Sequence, residues 1–95
     1  MRELVDIAYD IAAAQAQGDG PTHEPKKVQP YLDAMFSDPV LGFYIVWYAS
    51  GKSCRIMSER ELILNFLSCT SSWRGGVART IRDELNKMER GLKNE

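Results

Sequence analysis

The chain has 95 residues, 44% of them hydrophobic and 26% charged, which is typical of a globular protein and argues against a disordered one. This length allows one modest hydrophobic core and excludes a multidomain enzyme with its own cofactor domain, so we interpret residues 1–95 as a single domain. The formal net charge of −1 hides an asymmetry, because residues 1–50 carry 3 basic and 7 acidic side chains while residues 51–95 carry 9 and 6.

Features that would direct the chain to a membrane or an oxidising compartment are missing from the sequence. No apolar run reaches the roughly 18 residues of a membrane span, and residues 1–6 lack the basic-then-apolar pattern of a signal peptide. Cys54 and Cys69 are the two cysteines, and their spacing fits neither a zinc site nor a redox motif. Their apolar neighbours predict buried, reduced thiols. We therefore expect a cytoplasmic protein with no metal site.

The first predicted helix spans residues 2–17, where apolar residues recur at spacings of three and four. Residues 18–30 follow with three prolines and two glycines, a composition that predicts a loop. A loop of this length in a compact domain is either functional or mobile. Pro30 then suits the first turn of a short second helix that ends at Phe36.

Residues 42–49 are aromatic and β-branched, and they give the clearest strand prediction. Alternation places side chains on two opposite faces: Phe43, Ile45 and Trp47 on one, and Tyr44, Val46 and Tyr48 on the other. Because both faces are apolar or amphipathic, we expect both to be covered. We expect one face to belong to the core and the face with Tyr44, Val46 and Tyr48 to meet a partner, although the sequence leaves open which face is buried.

A turn at residues 50–53 and a return strand at 54–57 complete a predicted hairpin. Two strands alone are marginally stable, so helices must cover this hairpin or its edge must pair with another chain. The second arrangement would produce a homodimer.

Two further helices follow the hairpin. A capping box at Ser58 and Glu61 begins the first, and residues 70–72 end it. The last helix is predicted from Val77 to Leu92, with a strongly amphipathic pattern. The fold class is therefore a small, helix-rich α+β domain of order α-α-β-β-α-α, with one antiparallel β-hairpin packed against amphipathic helices.

Catalytic and nucleotide-binding motifs are incomplete. Residues 51–53 (Gly-Lys-Ser) resemble the end of a phosphate-binding loop. However, Val46 occupies the position where the motif requires glycine, and the motif is followed by a predicted strand, whereas a phosphate-binding loop is followed by a helix. His23 lies in the predicted loop. A small enzyme that uses His23 with Cys54 or Cys69 is a third hypothesis, and neither cysteine lies in a known nucleophile motif. We therefore predict no enzyme activity and no cofactor.

The last helix carries the best functional signal, a basic face opposite its apolar stripe. Residues 75–76 are glycines whose backbone could approach a phosphate. The alternative interpretation is an ordinary solvated face, on which Asp83 and Glu89 pair with neighbouring bases. A nucleic-acid-binding regulator is therefore one hypothesis, although the balanced net charge counts against it. Its binding residues would be Arg74, Arg79, Arg82, Arg90 and Lys93.

The leading hypothesis is a non-enzymatic protein-interaction domain, an inhibitor or regulator of the kind found among accessory proteins of phages and other mobile elements. It would bind a protein partner, form a homodimer and have no contact with a membrane. Tyrosine, tryptophan and arginine dominate interface hot spots. The residues that we expect to bind the partner are Tyr44, Tyr48, Trp73, Arg74, Arg79, Arg82 and Arg90.

Overall fold

The computed structural model describes residues 3–21, 25–48 and 51–93, with only the backbone described for residues 25, 26 and 93. Within these ranges the helices and strands follow the predicted order, which confirms the helix-rich α+β fold class with one antiparallel hairpin. The elements are α1 (Leu4–Ala16), α2 (Pro25–Phe36), β1 (Phe43–Tyr48), β2 (Ser53–Ser58), α3 (Glu59–Cys69) and α4 (Gly76–Lys93).

One hydrophobic core joins all four helices to one side of the hairpin. Helix α1 contacts α2 and α4, α3 contacts α2 and α4, and the hairpin packs on α2 and α3. The apolar residues that repeat at helical spacing in the sequences of α1 and α3 are the residues that the fold buries. Examples with at most 1% of their surface exposed are Ile7, Ile11, Leu62 and Phe66. The largest fully buried side chains are Phe66, Ile7, Ile11, Leu32, Met35, Met57, Leu62, Ile63 and Leu85.

Helix α2 is longer than predicted, because it begins at Pro25 and contains Pro30 in its interior. Pro25 occupies the first helical position, where a missing N–H has no consequence. Pro30, in contrast, removes the N–H that would donate to the carbonyl of Lys26. The helix nevertheless forms, since it places Val28 and Leu32 in the core with at most 1% of their surface exposed.

The predicted loop over residues 18–30 is therefore wrong for its second half. The first half of this segment packs tightly against the end of α1. A Cβ added at Gly20 would lie 2.7 Å from the Cα of Gln15, which is too close, so the backbone approach requires glycine. The carbonyl of Asp19 accepts a hydrogen bond of 2.8 Å from Nε1 of Trp73, which ties this segment to the chain before α4. His23 lies outside the described residues.

The hairpin has a regular antiparallel register in which Tyr48 lies opposite Ser53. The backbone N–H of Lys52 donates to the carbonyl of Tyr48 at 3.2 Å, and Gly51 adopts a positive φ of 88° that glycine tolerates without strain. Ser50 of the predicted turn is outside the described part of the chain.

Capping interactions set the ends of α3. The Ser58 hydroxyl accepts a hydrogen bond of 3.2 Å from the Glu61 N–H, which confirms the predicted N-cap. At the other end the Thr70 hydroxyl donates to the carbonyl of Phe66 at 2.9 Å. Gly75, with a φ of 114°, then redirects the chain into α4. Among the described helices, none has the length and apolar character that crossing a membrane requires.

Candidate functional site

The side of the hairpin that carries Tyr44 and Tyr48 faces the helices. Tyr44 has 6% of its surface exposed, and its hydroxyl donates to Oε1 of Glu59 at 3.3 Å. Burial raises the pKa of Tyr44 to about 12, and the Glu59 carboxylate acts in the same direction. Tyr48 is partly buried and its hydroxyl donates to that of Tyr31 at 3.4 Å. Burial raises the pKa of Tyr31 well above its usual range.

The expected assignment of the two hairpin faces is therefore reversed. Tyr44 and Tyr48 cannot both meet a partner as we predicted, because α2 and α3 pack on their side of the sheet. Met57, opposite Tyr44 on β2, is fully buried on the same side. Alternation along a strand separates its two faces, but it does not determine which face the helices will cover.

The opposite side of the hairpin, which we call the outer face, is apolar and exposed. It consists of Phe43, Ile45 and Trp47 on β1 with Cys54 and Ile56 on β2. The exposed fractions are 50% for Phe43, 41% for Ile45, 55% for Trp47 and 64% for Ile56. Ile45 lies directly opposite Ile56, and Trp47 opposite Cys54, so these side chains form one continuous surface.

Two further expectations are corrected by the outer face. The apolar and amphipathic side chains of β1 led us to predict a strand covered on both sides. Its outer side is exposed instead. The thiol of Cys54 is exposed, whereas we predicted that it would be buried; Cys69 is partly buried. Cys54 is exposed because the register places it beside Trp47 on the side away from the helices.

A groove of about 330 Å³ runs between α2 and the outer side of β1, and we call it the outer groove. Hairpin side chains supply its apolar wall, while Asp33 and Asp38 bring carboxylates to the side of α2. The Asp33 carboxylate accepts a hydrogen bond of 2.7 Å from the side-chain amide of Gln29, which orients it. The lining residues are Pro30, Asp33, Ala34, Ser37, Asp38, Val40, Phe43, Ile45 and Trp47.

A tight turn before β1 extends this apolar surface. Val40 and Phe43 exchange two backbone hydrogen bonds of 2.9 Å, which close the turn. Leu41, at its tip, has a positive φ of 52° and 94% of its surface exposed. A branched side chain in this backbone region is strained, and such strain is found at functional positions more often than elsewhere. Leu41 carries no motif that would have drawn attention to it in the sequence.

A second candidate surface lies at the start of α4, where the structure brings together Arg74, Arg79 and Arg82 around a pocket of about 600 Å³, which we call the arginine pocket. Trp73, which we predicted to bind a partner, also lines it but has 6% of its surface exposed. Its indole belongs to the hydrophobic core and donates to the carbonyl of Asp19, so we correct its role to a structural one.

The remaining basic residues of α4 lie further along the helix. Arg90 is exposed and is not part of the arginine pocket, and the side chain of Lys93 lies outside the described residues. Glu89, which we expected to pair with a neighbouring base on α4, accepts a hydrogen bond of 2.9 Å from Nε of Arg60 and so links α4 to α3. The predicted basic face is therefore divided into a pocket and a separate exposed arginine.

The described residues contain no group of three or more histidine, cysteine, aspartate or glutamate side chains that could hold a metal ion. Comparison with known proteins adds no assignment. No protein-family model, no curated protein and no solved structure matches the chain.

Proposed function

We propose that this chain is a non-enzymatic protein-interaction domain, an inhibitor or regulator that acts by binding a protein partner on its outer face. The observation that supports this proposal is the exposure of Phe43, Ile45, Trp47 and Ile56, each at least 41% exposed, on one continuous side of the hairpin. Apolar patches of this kind mark interaction sites, because covering them releases about 25 cal/mol for each Å² removed from water.

The shape of the surface favours a partner that inserts a segment of chain. The outer groove provides a concave apolar wall, and Trp47 contributes a large aromatic side chain to it. Leu41 projects from the neighbouring turn with 94% of its surface exposed, and two hydrogen bonds hold that turn closed. A turn whose backbone is already fixed in place loses little backbone entropy when its side chain binds.

The charge of the surface specifies the chemistry of that segment. Asp33 and Asp38 both line the groove, and among the described residues that line it none is basic. Complementary charges steer binding and penalise acidic competitors. The proposed occupant is therefore a partner segment with apolar side chains next to lysine or arginine.

A second copy of this chain is the competing occupant. Within the described residues β2 pairs with β1 alone, so its other edge has no strand beside it. Such an edge is open to pairing with another chain, which is the basis of the homodimer that we predicted from the sequence. The two occupants give different results in the experiment below.

The test uses short synthetic peptides with two apolar side chains flanked by lysines, and the same peptides with glutamates in place of the lysines. We expect the lysine peptides to bind saturably and to change the fluorescence of Trp47, whereas the glutamate peptides do not. Asp33→Asn with Asp38→Asn should reduce the preference for the lysine peptides. Ile45→Asp should abolish binding, because it places a charge in the apolar contact.

Leu64→Ser is the matched control, since Leu64 is an exposed apolar residue on α3 with 40% of its surface accessible and it is not part of the groove. Circular dichroism shows whether each variant remains folded. Equal binding by Ile45→Asp and wild type would contradict the proposal. Sedimentation over a wide range of concentrations decides the competing case: a dimer that Ile45→Asp disrupts would make the second copy the occupant.

A further inference from the structure

The arginine pocket carries a second inference, independent of the outer face. Three of its lining residues are arginines and one, Asp83, is an acid, so the lining has an excess of positive charge. The chain as a whole has a net charge of −1, which makes this local concentration of cations distinctive. The lining residues are Ser71, Trp73, Arg74, Gly75, Gly76, Ala78, Arg79, Arg82, Asp83 and Asn86.

The pocket also contains the beginning of helix α4. The first hydrogen bond of the helix joins the Arg79 N–H to the Gly75 carbonyl at 3.0 Å. The N–H groups of the preceding residues therefore have no acceptor within the helix, and they carry the positive end of its dipole. Gly75 and Gly76 leave this backbone accessible, because a Cβ on either residue would meet no atom within 4 Å.

Arg82 provides the observation that points to a ligand. Its Nε and Nη2 atoms are buried, and neither has a hydrogen-bond partner within the described structure. Leaving charged donors buried and unpaired is costly. Arg82 lines the pocket, which places its guanidinium among the cations that an anion bound there would meet.

We propose that the arginine pocket binds a single phosphate group, either inorganic phosphate or a phosphomonoester. A guanidinium fork and the free N–H groups of a helix N-terminus both match the oxygens of a phosphate. Three cations line one pocket, whereas Arg90 lies two turns beyond Arg82, about 12 Å along the axis. This arrangement suits one phosphate group better than the extended backbone of a nucleic acid.

The test is a titration of the full chain with inorganic phosphate, at constant ionic strength, followed by the amide resonances in nuclear magnetic resonance spectra. We expect saturable shifts at Gly75, Gly76 and Val77, with no comparable shifts when chloride replaces phosphate. Arg82→Gln should weaken binding about tenfold to a hundredfold, the range for a lost hydrogen bond between charged groups.

Arg90→Gln is the matched control, because it removes the same charge from the same helix outside the pocket. It should bind phosphate as wild type does. Arg79→Gln removes a second arginine of the pocket. Because the Arg79 side chain is exposed, this variant tests phosphate binding even if Arg82→Gln fails to fold. Shifts that do not saturate, or an equal loss in Arg90→Gln, would overturn the proposal.

Two further ligands identify the source of the phosphate. Phenyl phosphate that binds more tightly than inorganic phosphate would show that the pocket takes a phosphomonoester, and the reverse order would indicate the free ion; either supports the site. Labelled duplex DNA and single-stranded RNA, measured by anisotropy at low and high salt, test the alternative. Tight, salt-sensitive binding that depends on Arg90 as much as on Arg82 would replace the single-phosphate site with a nucleic-acid interface.

Discussion

At the scale of single residues, Tyr44 links the hairpin to α3 through chemistry that depends on pH. Its ring is buried and its hydroxyl contacts the Glu59 carboxylate at 3.3 Å. Loss of the hydroxyl proton would place two negative charges side by side in a poorly hydrated position. The folded protein therefore holds this proton more tightly than the unfolded chain does, which is the meaning of a pKa raised to about 12.

This pKa predicts the direction of an alkaline stability change. Below about pH 10, the usual pKa of tyrosine, both states keep the proton and the interaction contributes fully. As the pH rises from there through the folded pKa of about 12, the unfolded chain loses the proton first, so the free energy of unfolding falls. Urea unfolding across this range should show a steeper loss in wild type than in Tyr44→Phe.

Tyr9→Phe is the control for this measurement, because Tyr9 has 64% of its surface exposed. It should lose stability with pH as wild type does. A Tyr44→Phe variant whose stability falls as steeply as that of wild type would show that Tyr44 is not the group responsible. Tyr31, whose pKa is also raised by burial, contributes to the slope that remains in Tyr44→Phe.

At the scale of elements, α2 shows how tertiary burial overrides a local signal. Proline in a helix interior costs about 3 kcal/mol, and this cost is the reason that the sequence predicts a loop before Pro30. The helix continues through Pro30 because Val28, on its N-terminal side, must reach the core together with Leu32 and Met35 on the other side. Three buried side chains on one helical face outweigh one missing hydrogen bond.

Replacing Pro30 by alanine should therefore stabilise the protein. The substitution restores the N–H donor to the Lys26 carbonyl, and part of the gain is lost because alanine leaves the unfolded chain more flexible. We expect the free energy of unfolding to rise by about 1–2 kcal/mol, measured by urea unfolding. Pro25→Ala is the control at the first helical position, where no donor is needed, and it should give no gain. A destabilised Pro30→Ala would mean that its ring is required where it lines the outer groove.

At the scale of the whole molecule, the orientation of the hairpin decides what the protein presents to a partner. The helices cover the side with Tyr44 and Val46, so the aromatic surface of Trp47 faces the solvent. The other tryptophan, Trp73, is buried in the core and donates to the carbonyl of Asp19. The two tryptophans thus report on opposite environments, one on the outer face and one in the core.

Fluorescence quenching measures this orientation directly. A Trp73→Phe variant retains only Trp47, with 55% of its surface exposed, and acrylamide should quench it efficiently. A Trp47→Phe variant retains only Trp73, with 6% exposed, and should be protected. The Trp73→Phe variant loses the hydrogen bond to Asp19, at a cost of about 1–3 kcal/mol, so its folded state is first verified by circular dichroism. Protection of Trp47 with exposure of Trp73 would contradict the arrangement of the hairpin.

Much of the fold could be predicted locally. The N-cap at Ser58, the apolar spacing of α1 and α3, and the hairpin between two runs of strand-forming residues follow from interactions over a few positions. The candidate sites were only partly predictable. Helical spacing predicts that Arg79 and Arg82 share a face of α4 with Arg90, whereas the pocket that Arg74 forms with Arg79 and Arg82, and the unpaired nitrogens of Arg82, depend on neighbours that the spacing does not specify.

The sequence by itself determined the fold class, the order of the elements and the separation of β1 into two faces, because propensity, capping and periodicity act between near neighbours. Only the tertiary structure decided which face of β1 is exposed, that Cys54 is outside and Trp73 inside, and that α2 passes through Pro30. Both faces of β1 are apolar enough to be buried, so the choice depends on where α2 and α3 pack. That choice is made by the total apolar area that the folded chain removes from water, a property of all the elements together.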